Sequence, residues 1–459
     1  MAIFEYLNRT LMRLIPCLTL AILLSCTLAS AQQQNLVAGP MTGSIALRDV
    51  IVWAEVSAAV KKVSVRYWPQ QEPGKALSQS WTGPLGKAYN PVKIQLRNLA
   101  PGTAYAYELL VDDKSVRKSA FQTQTLWQYR MPAPDFTFLT GSCAYFNEEG
   151  FDRPGKPYGK DSSIFLTMAK EKADFMLWLG DNWYTREVDY HSAPGLAYRA
   201  HRDRSLPVLQ PFLSAMPHYA IWDDHDFGPN DASKAYIFRD ESREIFKDYW
   251  PNPTFGQDGK GIYTQFSFSD VDFFLLDGRY FSSGSRMPDS TGGQPNPEKK
   301  MYGDAQMEWL RNALLQSNAR FKVIATGSQA LNIYSRWDSF HHFPVEYHAF
   351  MNWLEEVDVP GIVFLTGDRH HSEVIRFNRP GNYPLYDITN SPLTSGEAAP
   401  SGEEVNSPIR VPGTLVVTQN YSRIKVFGPK EDRKMAVEFV NGKGKVLGKF
   451  EVSANDLKK

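Results

Sequence analysis

At 459 residues the chain is long for one domain and comfortable for two. Its 50 Lys and Arg balance its 50 Asp and Glu, which removes the electrostatic case for nucleic acid or an anionic membrane as partner. Aromatic residues make up 13% of it, so composition permits a large buried core.

Residues 1–31 read as an export signal. Arg9 and Arg13 supply a positive start, 14–28 is mostly apolar, and Ala29-Ser30-Ala31 gives the small-x-small pattern for cleavage before Gln32. Leu23-Leu24-Ser25-Cys26 offers a second route, since it resembles a lipoprotein box and would place a lipid anchor at Cys26. Without the leader the chain carries a formal charge of −1, and nothing after it is apolar enough to span a bilayer. An exported protein is therefore expected, periplasmic or secreted. Cys17 and Cys26 leave with the leader, so Cys143 has no partner for an internal disulfide. A lone thiol of this kind is either a small buried hydrophobe or a metal ligand.

Residues 36–126 carry short alternating runs such as Val92-Lys93-Ile94-Gln95-Leu96, with a turn at Pro101-Gly102, and read as a β-sandwich. The string Leu99-Ala100-Pro101-Gly102-Thr103-Ala104-Tyr105-Ala106-Tyr107 resembles the corresponding turn and strand of fibronectin type III-like domains. A linker with Pro132 and Pro134 follows. Over 135–455 strands alternate with helices, the α/β (α+β) pattern: strands at 135–140, 175–179, 218–222, 321–326, 362–366 and 386–389, a hairpin over 261–277, and a return to strands over 414–452. Helices are expected near 162–172, 196–213, 233–249, 306–315 and 345–356. The Ser-, Gly- and Pro-rich stretches 282–300 and 391–412 read as long loops able to rim a cleft.

Chemistry collects where apolar strands stop. FMLWLGDNWY, residues 175–184, is a doubly buried strand broken by Gly180, with Asp181 at its carboxyl end and Tyr184 one turn on. Cys143, the run Asp223-Asp224-His225-Asp226 and the run Gly367-Asp368-Arg369-His370-His371 stand at three other strand ends. Each alone has an ordinary reading as a turn or a core side chain. Together they converge on one edge of a parallel sheet, where thiolate, phenolate and imidazole suit ferric ion or zinc, and carboxylates suit calcium or magnesium. Asp181 is placed to bridge two ions.

Gly-Asp-x-x-Tyr, Trp-Asp-Asp-His-Asp and Gly-Asp-x-His, in this order, resemble the alkaline phosphatase D (PhoD-like) metallophosphatases, relatives of the purple acid phosphatases. The Ser142-Cys143 turn, 323–329 and Trp337-Asp338 extend the likeness over nearly the whole mature chain. The resemblance implies a metallophosphatase sandwich behind an N-terminal fibronectin/Ig-like domain. It implies hydrolysis of a small phosphate ester with Fe3+ and Ca2+, zinc, magnesium or manganese being the alternatives. By the same resemblance Cys143, Asp181, Tyr184 and His370 would ligate iron, and Asp181 and Asp368 calcium. Asn230 is the nearest counterpart of the family's calcium-binding asparagine, with Gly228-Pro229 intervening. Asp224 and His225 fall where related phosphatases place an Asn-His pair, and are expected to be catalytic with Arg279 of Leu276-Asp277-Gly278-Arg279. Ser282 stands where the family has a further arginine, which leaves open the group that clamps the phosphate. The competing reading is a non-catalytic surface binding protein whose metals are structural.

Overall fold

A computed structural model describes residues 35–459. The leader reading, with Cys17 and Cys26, falls outside the described residues, and among these no helix is long and apolar enough to cross a membrane.

The first unit is two antiparallel sheets. Leu36–Gly43, Val50–Val56 and Asn90–Leu96 form one, and Leu77–Ser80, Val63–Pro69, Ala104–Val111 and Lys114–Gln122 the other. Alternation places Val52, Ala54, Val92 and Ile94 opposite Val65, Tyr107 and Leu109 in one shared core. Asp112 and Asp113 turn the last hairpin in left-handed conformations, as short polar residues can.

The second unit is built on two six-stranded sheets. In the first, His218–Ile221, Phe175–Leu179 and Phe136–Gly141 run parallel, and Asn420–Phe427, Lys434–Asn441 and Val446–Ser453 continue it antiparallel. In the second, Val271–Leu275, Phe321–Thr326, Ile362–Thr366 and Leu385–Thr389 are parallel, with Thr264–Phe268 and Glu373–Phe377 as antiparallel edges. Phe138, Phe175, Leu177 and Ile221 of one sheet and Phe273, Val323 and Ile388 of the other belong to a single core. Helices cover the outer faces. Ile164–Met168 and Arg239–Tyr249 lie on the first, over Met176 and Trp178, and Asp304–Gln316 and Pro344–Glu356 on the second. The first unit docks into this packing, since Met41 and Trp53 share a core with Trp178 and Trp250, and Trp53 Nε1 donates to Asp248 O at 2.9 Å.

Several expectations change. The ligand-bearing strand ends come from two sheets rather than one, because strands this apolar on both faces need a second sheet as well as helices to cover them. The expected helix over 162–172 is realised only as Ile164–Met168. The expected helix over 196–213 divides at Pro207 into Ala193–Arg204 and Gln210–Leu213, proline being unable to continue the ladder. The expected helix over 233–249 forms only as Arg239–Tyr249. The edge strand Glu373–Phe377 was not foreshadowed: its buried Glu373 disguises it, and that charge is held by Arg410 Nε at 2.6 Å.

Candidate metal centre

Register brings the strand ends together. Gly141, Trp178 and Ala220 lie side by side, so the residues just beyond each strand emerge in one row. Thr326, Thr366 and Thr389 do the same in the facing sheet. Close approach needs glycine at the crossing points. A Cβ at Gly180 would lie 2.7 Å from Asp223 Cβ, and one at Gly367 2.5 Å from Leu179 O. The chain then turns sharply: Cys143, Asp181, Asp368 and His370 all have positive φ, between 52° and 68°. Left-handed backbone costs about 1–2 kcal/mol per non-glycine residue. Four such residues at one place are a concentration of strain of the kind found at functional sites.

Two groups of ligand-type atoms result, each with all its members within 4.8 Å of one another: Cys143, Asp181 and His370, and Asp181, Asp224 and His225. Asp181 belongs to both. Its Oδ2 is 3.6 Å from Cys143 Sγ and accepts the Tyr184 hydroxyl at 2.9 Å, while Oδ1 accepts the His225 N–H at 3.3 Å. His370 Nδ1 lies 2.6 Å from Gly396 O, so this nitrogen carries the proton and Nε2, 3.4 Å from the Tyr184 hydroxyl, keeps its lone pair. His225 Nδ1 is buried without a hydrogen-bond partner. Asp368 comes to Cys143 with its backbone carbonyl, 3.6 Å from Sγ, and its carboxyl stands in the field of Asp223 and Asp224. Asn230 lines the adjoining cleft beside His225 and Tyr184. Arg279 lies beneath the carboxylates rather than in that cleft. It is 4% exposed, with Nε 2.5 Å from Asp223, Nη1 2.8 Å from Asp338 and Nη2 3.9 Å from Asp224.

The electrostatics describe an excess of buried acid. Burial, then repulsion from Asp224 and Asp223, pushes the Asp181 carboxyl well above the usual carboxylate range. Burial and the Asp181 charge push the Cys143 thiol and the Tyr184 phenol up as well. Asp224 is the exception: burial works against its charge, yet His225 and Arg279 hold it at about 2. Burial moves His370 down to about 4. Thiol, phenol and carboxyl groups whose charged forms burial and mutual repulsion disfavour fit cation binding, since a bound cation reverses those penalties, and the His370 imidazole, kept neutral by burial, can offer a lone pair.

Some participants carried no sequence signal. Tyr158, in an irregular loop, sets its hydroxyl 3.0 Å from His370 Nδ1, and Ser391 donates to Cys143 Sγ at 3.1 Å. Asp223 and Asp338 clamp Arg279, and only their place in the quoted motifs could have marked them. His341, His342 and His371 are engaged elsewhere, with Ser339 Oγ, Ser335 O and Ala398 O respectively.

Two facing sheets, helices outside them and a candidate metal centre at the joined strand ends define a fold shared with phosphatases. A solved structure titled "Structure of PhoD" matches 92% of this chain and 91% of its own at a TM-score of 0.73 and 17% identity. The purple acid phosphatase PPD1 of yellow lupin (Lupinus luteus) seeds matches 91% of this chain and 73% of its own at 0.62 and 12% identity. Residues 138–429 match the PhoD family, the PhoD-like phosphatases, and the chain belongs to that family. It is 24% identical over 327 residues to the alkaline phosphatase D of Bacillus subtilis (strain 168), covering 61% of this chain and about half, 53%, of that relative.

Proposed function

We propose that the chain is an exported, metal-dependent phosphoesterase that hydrolyses phosphate monoesters, diesters or both. The observation that carries this reading is the pair of ligand groups sharing Asp181. Cys143, Asp181, Tyr184 and His370 would hold a ferric ion; Asp181 would also hold a calcium ion, or zinc, magnesium or manganese in its place, with Asp368, which stands in neither group, and Asn230 as its expected further ligands. Bound there, the metal pair would supply positive charge at the ester oxygens and a water acidified toward neutrality.

The chain's own groups do the rest. Gly396 O fixes the His370 ring, and the Asp231 N–H holds Asp224 Oδ2 at 2.7 Å. The ring of His225 packs 4.2 Å from that of Tyr184, and its free Nδ1 is available to donate to the developing oxyanion or to protonate the leaving oxygen. Arg279, expected to be catalytic, is better suited to a supporting role, because Asp223 and Asp338 occupy its donors. Residues 36–126 act as a fibronectin/Ig-like accessory domain, 135–455 as the catalytic domain, and 1–31 as the leader.

Elemental analysis of purified protein, with nitrophenyl phosphate mono- and diesters as substrates, tests the reading. The expected result is bound iron and turnover that Asp181→Asn reduces by at least about 100-fold with circular dichroism unchanged. Protein that binds no metal and cleaves neither ester overturns it.

A further inference from the structure

The cleft beside the metal centre encloses about 300 Å3, the lower end of the range for small-molecule sites. Tyr145, Tyr158, Tyr184 and His225 line it, together with Arg153 and Lys156 of the 152–158 segment. Asn147 ties the neck of that segment, donating to Gly159 O at 2.8 Å and accepting from Gly159 N at 3.0 Å. Charged side chains in the lining are paired with one exception. Arg186 binds Asp152 at 2.9 Å and Arg153 binds Glu187 at 3.0 Å, whereas Lys156 has no ion pair or hydrogen-bond partner among the described residues.

We propose that Lys156 is the recognition point of a subsite for a second anionic group, a carboxylate or phosphate on the organic part of the ester. The proposal rests on the phosphoesterase reading for the identity of the ester, and on the cleft for the subsite. Tyr158, 43% exposed, offers ring surface to a flat or apolar carbon skeleton, while Tyr145 and Tyr184 are covered by Arg186 and His225. A lysine ammonium is a point charge on a flexible stem, able to meet an anion without strict geometry. Lys156 is an exposed residue in the lining of the cleft that also contains His225 and Tyr184 of the metal centre, so an ester seated with its phosphoryl group there has this lysine within the same cleft as its remaining groups.

Non-hydrolysable phosphonates separate the two readings. Calorimetry on metal-loaded protein compares phenylphosphonate with 4-carboxyphenylphosphonate and 1,4-phenylenediphosphonate. The native protein is expected to bind one of the doubly anionic probes about 5-fold more tightly than phenylphosphonate at low salt, and less so at high salt. Which of the two gains more assigns the group as carboxylate or phosphate. Lys156→Gln should bring the ratio to about 1, and Lys156→Glu should invert it. Equal affinities in the native protein, or a preference that survives Lys156→Gln, overturn the subsite. Turnover of the matching phosphates is measured in parallel. Lys156-dependent binding without turnover supports the subsite and removes the phosphoesterase reading; turnover without a preference does the reverse.

Discussion

Arg279 shows how one side chain can hold the carboxylates of a site together without facing its cleft. Its guanidinium is fully enclosed and shared among Asp223, Asp338 and, at longer range, Asp224. Burial works against its charge, and the three carboxylates overcome that and hold its pKa well above the usual range. Removing one member of a buried pair leaves the other without compensation, at about 3–5 kcal/mol. Arg279→Met is expected to destabilise metal-free protein by that amount in chemical denaturation. The double variant with Asp223→Asn should lose less than the sum of the two single changes. At this scale the sequence announced Cys143, Asp181, His225 and His370 through their places after apolar runs. It was silent on Tyr158 and Ser391, whose roles depend on where irregular loops return in space.

Among the elements, the strand His218–Ile221 carries a histidine that strand patterning alone would make ordinary. Trp178 Nε1, a donor only, lies 3.0 Å from His218 Nδ1, so that nitrogen is unprotonated and Nε2 donates to Phe212 O at 3.2 Å. Burial pushes its pKa from 6.5 down to about 3. A depressed histidine pKa means that the unfolded chain takes up the proton first. Its contribution is therefore complete above pH 6.5 and declines as pH falls from 6.5 toward about 3, by about 1.4 kcal/mol per unit. Denaturation at pH 7 and pH 5 should show a smaller acid loss for His218→Asn than for the native chain. The buried strands were legible almost to the residue, as Phe321–Thr326 and Ile362–Thr366 show, because a continuous apolar run ending at glycine or a polar turn has few other solutions. Helices were less so. Pro207 and the short turn of Ile164–Met168 interrupt periodicities that a local window reads as continuous.

The whole molecule joins two facing six-stranded sheets at one chemical locus. Which sheet each strand enters was not legible, because sheet order depends on long-range pairing and a local pattern carries no record of it. The division has a consequence for folding energy. Cys143, Asp181, Asp224 and His225 follow strands of one sheet, and Asp368 and His370 follow a strand of the other. An ion gripped by both sets would act as a rivet across the sandwich, and mass action would then set the melting point of the fold. Titrating chelated protein with ferric and calcium ions should raise its Tm with the logarithm of free ion, about 2.7 kcal/mol at one hundred times Kd, and Asp181→Asn should flatten that response. Starvation for the ions would then leave more of the chain unfolded and open to proteases, and supply of the metal would govern its abundance.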